Sequence, residues 1–229
     1  MGKVSYSALV NEVRGAIGGG VYSKNSSGNY IRSNAVPTNP KTTSQTAVRA
    51  MLASLSQAWR TLTDAQRAQL NSAVTNWLRT DVFGKSMTPS GFNLYMQLNL
   101  KLNAIGVASI DVPPVPQGTG VFDTFTAAIA AGAATASITF APAIEAGTSV
   151  IIKATPGISA GRSFVSSELR QIAVLESTDV SPENIKAAYI ATFGSLPGAG
   201  SKVFFSAQFV NATTGQAGQD LQTSCIVAA

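Results

Sequence analysis

Acid–base, nucleophilic and metal chemistry draws on few side-chain types, and this sequence is poor in them. It contains no histidine. That removes the commonest general base, the commonest metal ligand and the ordinary switch near neutral pH, and with them His-dependent triads and HExxH zinc sites. The single cysteine, Cys225, stands in the apolar run TSCIVAA, which reads as core packing rather than as a reactive thiol. One cysteine can make neither an intrachain disulfide nor a zinc cluster. The eleven carboxylates are scattered, with no DxD, DxxE or ExxE spacing to hold a metal or to pair an acid with a base. Glu168 and Glu176 share a predicted strand and its edge, where they read as solvated surface charge. The Gly-rich run Arg14-Gly-Ala-Ile-Gly-Gly-Gly20 lacks the GK[ST] ending of a P-loop and the buried strand that precedes a dinucleotide site. The expectation is a protein that is not an enzyme, with no catalytic residue, no cofactor-binding residue and no metal ligand.

The chemistry that remains is recognition. Arg14, Tyr22, Lys24, Tyr30, Arg32 and Lys41 lie on or beside a predicted hairpin, cations interleaved with aromatics, and form the candidate partner-docking set. Such a pattern suits a nucleic-acid groove or an acidic protein face. The charge is lopsided. Residues 1–112 hold 11 basic and 4 acidic side chains, net +7, whereas 113–229 hold 5 and 7, net −2. Charged residues are only 12% of the chain, about half the usual share of about 25%, so little repulsion keeps copies apart.

The elements that must carry these residues divide at Ile110-Asp-Val-Pro-Pro-Val-Pro-Gln-Gly118, which holds three of the ten prolines and predicts an extended linker. The expected class is α+β in two domains: a hairpin and helical docking domain over 1–110, a Pro-rich linker over 111–118 and a β-sandwich over 119–229. In the first, Val21–Lys24 and Tyr30–Arg32 flank an Asn/Ser/Gly turn and predict a β-hairpin. Alone it is marginal in water and needs helices or a neighbouring subunit beneath it. Val48, Met51, Leu52, Leu55, Trp59 and Leu62 form the apolar stripe of a first helix, capped by Thr42 with Gln45. Thr63 with Gln66 starts a second, striped by Leu70, Val74, Trp77 and Leu78. Thr88 with Pro89 starts a third, ended by Gly106. Trp59 and Trp77 are expected to anchor the core of this three-helix domain.

The second half changes period. Runs rich in Val, Ile, Thr and Phe recur around 121–126, 135–140, 148–155, 169–176, 202–210 and 221–227. They predict an Ig-like antiparallel β-sandwich of about six or seven strands. Ser181-Pro-Glu-Asn184 predicts the start of one short helix through Phe193. The opening MGKVSYSALVNEV has no apolar stretch of signal-peptide length, and the Ala-rich stretch from Thr126 to Ile138 is too short to cross a bilayer. No membrane association is expected.

Longer linear patterns carry a resemblance. Arg14-Gly15 with its Gly-rich strand, Val21-Tyr-Ser-Lys-Asn25, Gly28-Asn-Tyr-Ile-Arg32, Pro37-Thr-Asn-Pro40, Thr43, Gln45, Arg49, Trp59-Arg-Thr-Leu-Thr63 with Gln66-Arg67, and Ser90-Gly-Phe-Asn-Leu-Tyr-Met96 span about the first hundred residues. They resemble a family of uncharacterised proteins encoded by tailed phages and prophages. Leu70 departs from the pattern, where a tryptophan is expected. The junction Ala58–Arg67 also resembles the helix corner of an HMG box, without its dense Lys/Arg. The second half resembles the β-sandwich modules appended to phage head and tail proteins. These resemblances imply a virion component made in the host cytoplasm, present in many copies as a capsid decoration or a tail or head-to-tail part. Its partners would be copies of itself and other virion proteins, and its strand-forming N-terminal arm would be able to pair with a neighbour's sheet edge. No small-molecule substrate is implied. The alternative function is a DNA-binding accessory protein using the basic half.

Overall fold

A computed structural model describes residues 2–6, 10, 12–25, 28–35, 38–80, 83–132 and 134–229. The expected Ser26-Ser27 turn and Pro37 lie outside the described residues. The class is α+β.

The N-terminal segment makes more sheet than a hairpin. Strands β1 (Gly2–Lys3), β2 (Gly15–Ile17), β3 (Gly20–Asn25) and β4 (Gly28–Ser33) form an antiparallel sheet in the order β1-β4-β3-β2. The Gly-rich run is therefore itself a strand, with Gly18-Gly19 as a two-residue loop between the paired Ile17 and Gly20.

Helix α1 (Thr43–Thr61) begins where Thr42 Oγ1 accepts the Gln45 N–H, and α2 (Asp64–Ala73) begins at a complete capping box of Thr63 and Gln66. The stripe of the second helix does not run through. The chain tightens into a 3-10 turn over Val74–Asn76, Trp77 falls beyond it half-buried, and Leu78 is exposed. After the short hairpin β5 (Arg79–Thr80) and β6 (Ser86–Met87), α3 spans Gly91–Ala104. Its cap is Ser90, whose hydroxyl accepts the Asn93 N–H, not Thr88 with Pro89. The helical core joins Leu55, Leu62, Leu70 and Tyr95. Trp59 lies half-buried against it, its ring 5.6 Å from Phe92 and 5.4 Å from Tyr95 between centroids.

The second half is an antiparallel sandwich with one short helix. Strands β7 (Thr124–Ala130), β8 (Thr135–Ala141) and β11 (Glu183–Asn184) make one sheet in the order β11-β8-β7. Strands β9 (Thr148–Ala154), β10 (Arg170–Leu175), β12 (Lys202–Asn211) and β13 (Ala217–Ile226) make the other, in the order β10-β9-β12-β13. Alternate residues meet between them: Phe125, Ile129, Ile138 and Phe140 against Val150, Ile152, Val203, Phe205 and Phe209. Helix α4 (Lys186–Phe193) closes one side through buried Tyr189, with Ile185 as its cap residue.

Helix α3 also meets the sandwich. Leu102 and Ile105 bury with Ile151 and Val210 on the outer face of the four-stranded sheet. Gln171 Nε2 donates to the Ala104 carbonyl at 2.9 Å. Buried Asn99 exchanges two hydrogen bonds with the backbone of Ile110, at 2.7 and 3.0 Å, turning the chain back along α3 as it leaves the helix. The proline segment then runs without regular structure and is held at Gln117, whose N–H donates to Gln216 Oε1 at 2.8 Å.

Candidate interaction surface

Burial shifts the titration of Cys225, Tyr189 and Lys101. Cys225 is half-buried against the sandwich core, and burial pushes its thiol up, a backbone hydrogen bond at Ile129 pulling the other way. Tyr189 donates its hydroxyl to the Thr155 carbonyl at 2.9 Å. Burial, with Cys225 second, pushes its phenol up to about 12. Lys101 donates to Gln208 beside an Asp220–Lys153 ion pair; burial and then Lys153 lower its ammonium, and Asp220 partly restores it. Among the described residues no group of three His, Cys, Asp or Glu could hold a metal, and no helix is long and apolar enough to cross a membrane.

The six docking candidates are not gathered into one groove. Residues directly opposite in an antiparallel sheet share a face, and the register pairs Tyr22 with Ile31 and Lys24 with Asn29, but Val21 with Arg32 and Ser23 with Tyr30. Tyr22 and Lys24 therefore lie on one face of the N-terminal sheet and Tyr30 and Arg32 on the other. Arg14 precedes β2 and is bound to Glu12, its guanidinium 2.7 Å from the carboxylate. Lys41 precedes α1 at the exposed end of that helix. The cations that a single strip of nucleic acid would need are divided by the pleat.

What the N-terminal elements share is lack of cover. Among the described residues from 2 to 35, none is buried. Ile17 is 62% exposed. Along α1 every residue from Thr43 to Ala50 is exposed and only Leu55 is buried, so the predicted stripe leaves the core at its upper end: Val48 is 53% and Leu52 38% exposed. The whole chain presents 13215 Å² for 23.6 kDa, against the roughly 9,800 Å² that surface scaling assigns to a folded monomer of this mass. The surplus of roughly 3,400 Å² exceeds the roughly 800 Å² per partner of a standard interface. Val48, Leu52 and Ile17 were not among the predicted docking residues. The available signal was that the α1 stripe is longer than the α2 stripe that could cover it.

Comparison with protein-family models, with curated proteins and with solved structures returns no match.

Proposed function

We propose that this chain is a non-enzymatic structural protein of a phage particle, present in many copies as a capsid decoration or a tail or head-to-tail component. It acts by protein–protein packing through the N-terminal sheet and the first half of α1. The observation that carries this reading is that no described residue from 2 to 35 is buried and that α1 is exposed from Thr43 to Ala50. A four-stranded sheet with no buried residue among those described gains little from its own packing and is stabilised once a partner covers a face or extends an edge. The linear resemblance of the first hundred residues to phage-encoded proteins supplies the particle.

Deleting residues 1–36 is expected to leave the sandwich and helices folded and to abolish incorporation, measured as copy number by mass spectrometry of purified particles. Normal incorporation would overturn the reading. The net charge of +7 on residues 1–112 favours a second reading, a DNA-binding accessory protein. It requires tight, salt-dependent duplex binding that is lost when Arg14, Lys24 and Arg32 are all changed to alanine.

A further inference from the structure

Charge is distributed along this chain so that one part of it complements another. From residue 13 to residue 63 there are six basic side chains and no acidic one. Helix α1 itself carries no carboxylate, and its exposed first half presents Val48 and Leu52 flanked by Lys41 and Arg49. Among the described residues no carboxylate pairs with Lys41; Arg49 donates to the neutral Asn39 side chain at 2.9 Å.

The sandwich is polarised lengthwise. Pairing of Thr124 with Ala141, of Leu175 with Val150 and of Asn211 with Thr148 brings the starts of β7 and β9 and the ends of β8, β10 and β12 to one end. That end carries Asp123, Glu145, Glu176 and Asp179, with Glu183 close by on β11. None of these five is in an ion pair among the described residues. Of the five sandwich cations, Arg170 and Lys202 stand at the opposite end, over the Phe193 and Phe204 rings, Lys153 is paired with Asp220 and Arg162 with Glu168, and Lys186 begins α4 three residues after Glu183. The acidic end is not purely polar. Val121 is 62% and Val180 74% exposed, and a groove of about 220 Å³ opens there, lined by Gly120, Val121, Pro142, Ala143, Glu145 and Phe209.

We infer that the exposed half of α1 is covered by the acidic end of the sandwich of a second copy. Val48 and Leu52 bear on the groove and its apolar rim, and Lys41 and Arg49 face the carboxylates around it. This inference rests on the docking reading above and names its partner surface. Because the two contact surfaces are different, each copy offers one and accepts one. Copies join head to tail and close into a ring or continue as a filament. Opposite charge on the two surfaces sets the register and speeds encounter, while the apolar contacts supply most of the holding free energy.

The test uses two full-length charge reversals, Lys41→Glu with Arg49→Glu on α1, and Asp123→Lys, Glu145→Lys with Glu176→Lys on the sandwich. Glu in the first turns of a helix suits its dipole, so the α1 variant is expected to fold; circular dichroism checks both. Sedimentation equilibrium at about 0.05 and 0.5 M salt is expected to show concentration-dependent association of the wild type that weakens at high salt. Each reversal alone should weaken it by at least about tenfold, and an equimolar mixture of the two should restore it, since each then offers a complementary contact to the other. A wild type that stays monomeric, association indifferent to both reversals, or a mixture that fails to recover overturns the head-to-tail contact. The docking reading is judged separately, by whether the chain lacking residues 1–36 enters particles.

Discussion

Tyr189 shows how a polar group can be kept inside a sandwich without becoming a reactive one. Its ring is buried between the sheets and α4, and its hydroxyl finds the Thr155 carbonyl at 2.9 Å. Tyr189→Phe leaves that carbonyl buried without its partner, and urea unfolding is expected to show a loss of about 1 to 3 kcal/mol. The same burial ties stability to pH. The phenol is raised to about 12 in the folded chain and titrates near 10 when unfolded. The contribution is therefore complete below about pH 10 and is lost as pH rises toward 12. Stability curves of the wild type should fall across that interval, and those of Tyr189→Phe should fall less steeply.

Helix α3 contributes to two separate apolar clusters. Tyr95 and Met96 belong to the helical core, whereas Leu102 and Ile105 belong to the contact with the four-stranded sheet. The turn between β12 and β13 lies directly against the backbone of this helix. Gly215 sits there with φ of +72°, and a Cβ at that position would stand 2.9 Å from the Leu98 carbonyl carbon and closer still to its oxygen. Backbone on both sides leaves no flexible end to move away, and the left-handed φ adds strain for any other L residue. Gly215→Ala is expected to cost more than about 2 kcal/mol by forcing α3 off the sheet. Calorimetry would register this as a lowered Tm, and an unchanged Tm would show that the turn relaxes freely.

At the scale of the whole molecule, the apolar contact between α3 and the sheet joins the two halves independently of the proline segment. The segment is anchored at Ile110 by Asn99 and at Gln117 by Gln216, and it leaves Val112 and Val115 exposed between them. A chain cleaved once near Val115 should therefore elute as one particle on a sizing column, because Leu102, Ile105, Ile151 and Val210 remain buried together. Separation of the fragments under native conditions would mean that the covalent linker, not the packing, holds the halves in place.

Much of this architecture was legible in the residues themselves, because it follows from local rules. The caps at Thr42 and Thr63, the end of α3 near Gly106 and the main strands of the sandwich depend on side chains within a few positions of one another, which set periodicity and turn chemistry. Other features depend on what lies across the fold. The α1 stripe reads as one core face from Val48 to Leu62, yet only the part opposite α2 and α3 is covered, since periodicity records that a face is apolar and not what meets it. Arg32 and Lys24 look like one basic patch along the chain, and the pleat sends them to opposite faces. The acidic end of the sandwich joins Asp123 and Glu145 to Glu176, Asp179 and Glu183, and no short window of sequence contains all five. Composition set the expectation that recognition is the chemistry left to this chain. Tertiary structure decided which apolar and charged groups were left uncovered, because burial is a property of neighbours distant in sequence.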